Sequence, residues 1–152
     1  MSQLHLLLML HIISAVVWIG GMITIRLVIH PINLQFEDLQ QRVERNLKAT
    51  KRLLVLAFPF VLGSFVSGFM ITSANFSSYN GSSVYPKIVI WLLMFLNYMI
   101  IFYRSRVATR SFNNLDITGA RRIMSPVANL LLPINIILGI VAIYIGINLR
   151  GV

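Results

Sequence analysis

Apolar side chains gather in four long blocks, about 4–29, 53–73, 87–103 and 127–148, separated by shorter polar stretches. Each block approaches the ~20 mostly apolar helical residues needed to cross a hydrocarbon core. Backbone in lipid must satisfy its hydrogen bonds internally, so the blocks predict helices rather than open strands. Together they predict an all-α integral membrane protein, a single four-helix transmembrane bundle spanning 1–152. The first block is longer than the ~7–15-residue core of a signal peptide and no basic residue precedes it, so it is expected to be a retained span. Pro31 is expected to stop the first helix, and Pro86 and Ser125-Pro126 to start later ones, with Ser125 as an N-cap. Pro59 and Pro133, inside apolar runs, should kink them. Phe36, Leu39, Val43 and Leu47 recur at helical spacing opposite several basic residues. That stretch is either a surface-lying amphipathic helix or a cytoplasmic extension of the second span.

Composition agrees with a bilayer setting. Of the 152 residues 57% are hydrophobic and only 11% charged, against roughly 25% charged in a soluble domain. The excess of 13 Lys+Arg over 4 Asp+Glu gives a net charge of +9. Because those cations sit between apolar runs, the membrane surface is the expected partner and nucleic acid is not. With no cysteine, disulfides, thiolate metal sites and cysteine nucleophiles are excluded.

The connectors alternate in charge. Arg42, Arg45, Lys48, Lys51 and Arg52 lie between the first two blocks, and Arg104, Arg106, Arg110, Arg121 and Arg122 between the last two. The connector from Ala74 to Tyr85 carries no charge, and beyond the last block stands Arg150 alone. The positive-inside rule then places both basic loops in the cytoplasm and both termini on the outer, periplasmic side of a bacterial inner membrane.

Few polar residues interrupt the apolar blocks. Gly63, Ser64, Ser67 and Gly68 form overlapping small pairs, Gly139, Ala142 and Gly146 a small stripe, and Ser14, Ala15, Gly20 and Gly21 a notch. Such residues serve close helix packing or leave room for a flat cofactor such as a porphyrin. His11 lies about two turns into the first block, one turn before Ser14 and two before Trp18. It either hydrogen-bonds a neighbouring helix or ligates a metal or haem. His5 lies about 9 Å outward and some 120° around the helix, an interfacial position that cannot share one haem with His11 in a single chain. His30, about 28 Å further on, belongs with Arg26 at the cytoplasmic end. Lys87 opens the third block, where a cation opposes the helix dipole. It either snorkels to lipid phosphates or ligates iron or binds an anionic group, and the topology puts it in the same leaflet as His11. Asn97, Tyr98, Asn129 and Asn135 are expected to hydrogen-bond within the bundle, with a polar notch near Pro133, which cannot bond back to Asn129. Glu37, Asp38, Glu44 and Asp116 all fall in the loops, so a carboxylate-based proton or cation transporter is disfavoured. Zinc-protease, P-loop and dinucleotide-binding motifs are absent.

The run from Leu4 through His11 to Trp18-Ile19-Gly20-Gly21 resembles the first helix of the CopD and HemJ families: a leucine-rich approach, a histidine, then Trp-x-Gly/Ala-Gly seven residues later. Arg26 to His30 is similar to an Arg-Leu-x-x-x-His of HemJ proteins. Tyr85-Pro86-Lys87-Ile88-Val89-Ile90-Trp91 is similar to their lysine-led helix, and Arg52-Leu53 through Gly68-Phe69 to their second. HemJ proteins bind haem b and are associated with oxidising protoporphyrinogen IX. The resemblance implies haem-holding roles for His11 and Lys87. Asn97-Tyr98 stand where HemJ proteins tend to carry a late histidine. CopD proteins are associated instead with copper resistance.

The residues therefore point first to a haem-b protein acting in electron transfer or porphyrin oxidation. His11 is expected as one axial ligand, Lys87 as the other or as a propionate anchor, and Ser14 and Trp18 beside the cofactor. Quinone or a porphyrin would be the partner, and a homodimer is left open. Copper binding through Met9, His11, Met22 and Met94 is the alternative, and a cofactor-free assembly factor is the third reading.

Overall fold

The computed structural model describes residues 3–74 and 81–148; Arg150 and residues 75–80 of the uncharged connector lie outside them. The described residues are helical, without a strand. Helix α1 (Gln3–Thr24) passes through a π-helical turn at Ile25–Ile29 into the short α2 (His30–Leu34). After a connector comes α3 (Leu39–Ala74) and then α4 (Gly81–Asn113). Helix α5 (Ile117–Pro126) continues through a second π-helical turn at Val127–Leu131 into α6 (Leu132–Asn148). The four resulting rods are each long and apolar enough to cross a bilayer, which makes this a multi-pass membrane protein.

Prolines act differently from expectation. Pro31 does not stop the first helix, and Pro86 and Ser125-Pro126 do not start one. A proline cannot donate to the carbonyl four residues back, and its ring crowds that carbonyl. Both π turns end two residues before a proline, Pro31 and Pro133. There the N–H groups of His30 and Leu132 reach five residues back, to Ile25 O and Val127 O. The widened turn makes room for the ring and the helix runs on. Pro86 lies inside α4, which already begins at Gly81. The N-cap of the last rod is Asp116, whose carboxylate accepts from Gly119 N–H at 2.8 Å. Ser125 instead accepts from Asn129 Nδ2 at 3.3 Å, one turn along the same rod.

The amphipathic stretch is an extension of the second span at its basic end, continuous with it in α3, not a separate surface-lying helix. At about 54 Å by helical rise, α3 overshoots a ~30 Å hydrocarbon core. Its first turns bury Val43 and Leu47 against Ala108 of α4 and Ala120 of α5, with Leu39, Phe112 and Ile117 around them. Phe36 stays in the connector, under the Arg45 guanidinium, which lies 4.2 Å from its ring. Asp38 caps α3 by accepting from Gln40 N–H at 2.9 Å, and Glu44 pairs with Lys48 on its outer face. Asp38 and Asp116 thus serve as caps, while Glu44 lies within α3 rather than in a loop and forms a surface ion pair.

Within the hydrocarbon the rods pack in a ring, α1 beside α3, α3 beside α4, α4 beside α6 and α6 beside α1, each neighbour antiparallel. Trp18, Met22, Leu54, Val61, Met94, Tyr98, Ile101 and Leu132 fill its centre. Large apolar side chains such as Val16, Leu27 and Phe69, each about two-thirds exposed, cover its outside and fit lipid tails. The cations of both basic connectors gather at one end of this bundle.

The α4–α5 hairpin turns on Leu115, whose φ of 62° is left-handed. Its N–H bonds Phe112 O at 3.0 Å and the next N–H, of Asp116, returns to Ser111 O at 3.0 Å. This closure of a helix usually employs glycine. Leu115 is 83% exposed, so the leucine side chain adds strain without packing. Leu115→Gly is expected to stabilise the protein by about 0.5–1 kcal/mol, read as a higher melting temperature in detergent; an unchanged or lower one refutes the strain. Asp116 is held below the usual carboxylate range by the Gly119 N–H and then the Ser111 hydroxyl. A depressed carboxyl contributes stability above its unfolded pKa, and that contribution is lost as pH falls through the folded value. Melting temperature should therefore drop more steeply below about pH 4 in the wild type than in Asp116→Asn. Parallel curves would show that Asp116 is not the group responsible.

Candidate functional site

A neutral imidazole in lipid needs an acceptor for its N–H. His11 meets that need across the α1–α3 contact, where its Nδ1 lies 3.0 Å from Ser64 O and 3.1 Å from Ser67 Oγ. A carbonyl only accepts, so Nδ1 is the protonated nitrogen. The Ser67 hydroxyl is directed to Gly63 O at 2.5 Å, so it too receives from the histidine. The lone pair of the ring therefore sits on Nε2, the tautomer a metal-ligating histidine adopts when Nδ1 is held by the protein. The bond to a neighbouring helix and the capacity to ligate are thus compatible in one ring.

The small residues make this approach close. A Cβ on Gly68 would stand 3.1 Å from His11 Cε1, and one on Gly63 would stand 2.9 Å from Ser14 Oγ. On the opposite side of the ring, a Cβ on Gly146 would meet Lys87 Nζ at 3.0 Å, and one on Gly139 would meet Ile19 Cδ1 at 2.6 Å. The bare glycine faces are thus filled by His11, Ser14, Lys87 and Ile19. Both lysine and histidine must leave these notches for a flat macrocycle to lie against the glycines.

Depth can be read from the antiparallel pairings. Contacts of the first rod with α3 run from His11 of α1 beside Ser67 to Asn33 of α2 beside Asn46, which are 2.8 Å apart through their amides. Trp91 of α4 donates to Ser64 Oγ at 3.2 Å, placing Lys87, one turn outward, level with Gly68. Ile19 against Gly139 places Gly146, seven residues on, at the level of His11. His11, Gly68, Lys87 and Gly146 therefore share one layer, contributed by all four spans. His5 is exposed on the outer turn, and His30 lies at the basic end beside Arg26, so neither joins this layer. Met9 is half exposed on the outside of α1, and Met22 is eleven residues beyond His11, about 16 Å away. Met94, one turn below the Trp91 layer, is buried in the central core. The four candidate copper ligands do not gather.

Below the histidine layer, Trp18 is buried and stands edge-on to Tyr98, ring centroids 6.3 Å apart at 89°. Asn97 donates to Leu131 O at 2.8 Å and to Asn135 Oδ1 at 3.0 Å, and Asn135 returns a bond to Met94 O at 3.4 Å. Tyr98 Oη donates to Leu54 O at 2.6 Å. The polar notch thus forms on Asn135 and Leu131, whereas Asn129 faces outward. Among the described residues, Ser14 Oγ, Trp18 Nε1 and Asn97 Oδ1 are buried polar atoms without a hydrogen-bond partner. Two of the three belong to residues expected beside a cofactor. Ser64, Ser67 and Trp91 as partners in the histidine network were not anticipated. The signal was there: serines three apart on an apolar helix supply an acceptor to any buried N–H donor opposite.

The layer and the turns below it thus hold an imidazole bonded through Nδ1 to α3, an amine at the same depth, and two buried donors, Ser14 and Trp18, one and two turns inward. No family model, curated protein or solved structure matches the chain. Asn135→Leu strips the notch of its acceptor for Asn97 and its donor to Met94, and is expected to cost about 1–2 kcal/mol. Unfolding in graded detergent mixtures measures this, and an unchanged midpoint would show that the asparagine pair contributes nothing net.

Proposed function

We propose that this protein binds haem b in a bacterial inner membrane, with both termini outside, and acts in electron transfer or HemJ-like porphyrin oxidation. The observation that carries this reading is the His11 tautomer, with Nδ1–H given to Ser64 and Ser67 and the lone pair on Nε2. His11 Nε2 would ligate the iron. Lys87 would serve as a second ligand or neutralise a propionate, and Ser14 and Trp18 would supply hydrogen-bond donors to the group. Haem, when bound, supplies one-electron exchange, and membrane quinone is the fitting acceptor for those electrons.

The protein's own contribution is orientation and exclusion of water. Ser64 and Ser67 hold the imidazole plane, Trp91 steadies Ser64, and the Trp18–Tyr98 pair closes the bundle below. Ligand basicity rises when Nδ1–H is given to a good acceptor, so Ser67→Ala should shift the reduction potential while leaving the ligand in place.

Oxidised and dithionite-reduced absorption spectra of the purified protein, with haem quantified per chain, test the reading. A Soret band with sharp reduced α and β bands is expected, lost or strongly altered in His11→Ala and shifted in Lys87→Ala, with helicity retained. A colourless protein after expression with ample haem overturns the proposal, and bound copper would then point to the alternative metal.

A further inference from the structure

On the outside of the bundle, between α4 and α5, lies an open groove of about 740 Å³ lined by Leu96, Met99, Ile100, Tyr103, Val107 and Ile123, with Arg104 among them. From Leu96 to Val107 it runs about 16 Å along α4, half the thickness of a hydrocarbon core. Its inner stretch is purely apolar and its far end reaches the level of the basic hairpin. The groove has the length and polarity of one lipid chain ending at a headgroup.

Arg104 sets the charge of that end. One of its N–H groups, on Nη1, is given to Ile123 O at 3.2 Å, which fixes the guanidinium at the mouth between the helices. A guanidinium carries five such donors in a planar fork suited to phosphate. The carboxylates have other places: Glu44 on Lys48, Asp116 on Ser111 and Gly119, Asp38 on Gln40 N–H, and Glu37 in the connector before α3. The neighbouring charged groups, Arg121 and Arg122, are cations. Arg106, two residues along α4, turns away to lie 5.1 Å over the Phe102 ring.

We propose that this groove is a binding site for one anionic phospholipid of the leaflet facing the basic loops. One acyl chain lies along Leu96, Met99, Ile100 and Tyr103, and the phosphate sits on Arg104. The site is independent of the histidine layer, being on the lipid-facing surface at the other end of the bundle. It also gives Arg104 a purpose that a general basic surface does not, since the arginine is anchored to a backbone carbonyl beside an apolar channel.

The test is native mass spectrometry of the full chain in mild detergent, offered equal phosphatidylglycerol and phosphatidylcholine with identical chains. The wild type is expected to retain phosphatidylglycerol at least tenfold over phosphatidylcholine. Arg104→Gln should lose that preference, Val107→Trp should lose retention of both lipids by filling the groove, and Arg106→Gln should behave as wild type. Equal retention of the two lipids by the wild type overturns the proposal. So does an equal loss in Arg106→Gln and Arg104→Gln, which would mean surface attraction alone. Should Arg104→Gln fail to reach wild-type helicity by circular dichroism, the Val107→Trp variant decides, and undiminished phosphatidylglycerol on it refutes the groove.

Discussion

Hydrogen bonding without water governs this structure. Apolar helices in lipid have little hydrophobic reason to associate, because the tails are as apolar as the side chains. The register of this bundle is set instead by polar side chains that must find partners across helix boundaries. His11 binds α1 to α3, Trp91 and Tyr98 bind α4 to α3, and the Asn97–Asn135 pair binds α4 to α6. Each bond is modest on its own, but its alternative is an unsatisfied group in hydrocarbon. Glycines and serines then let the backbones approach closely enough for those bonds to form.

The same requirement explains the prolines. A missing N–H inside a bilayer would orphan a carbonyl, and the two π turns redirect donors to neighbouring carbonyls before Pro31 and Pro133. Beside the second of these, Asn97 reaches over from α4 to Leu131 O, adding an interhelical bond next to the widened turn. Arg104 plays the corresponding part at Ile123 O, nearer the basic end. Outside the hydrocarbon the rules relax. Aspartates cap the helix starts, a strained leucine closes a hairpin, and cations lie in the open.

His11 stands where these two roles meet. Its Nδ1 serves the fold by joining α1 to α3, and in that tautomer the ring lone pair lies on Nε2. The buried and unpartnered Ser14 Oγ and Trp18 Nε1 run against the economy seen everywhere else in the bundle.

How much was legible beforehand divides along the same physical line. Span number, approximate limits and the gathering of cations at one end follow from hydrophobic length and charge alternation, which are properties of the chain itself. The shared depth of His11 and Lys87 also followed, because antiparallel helices of known rise fix depth without any knowledge of packing. Helix ends did not, since Pro31, Pro86 and Ser125 carry local preferences that a continuous hydrogen-bonded rod in lipid overrides. Neither did the partners of His11: small residues at 63, 64, 67 and 68 read equally as packing or as room for a cofactor. Only the rotation of α3 against α1 decided that the serines face the imidazole and the glycines receive it. Sequence alone determined where the polar groups lie along each helix; tertiary structure decided which of them meet, because azimuth around a helix axis is set by contacts between helices.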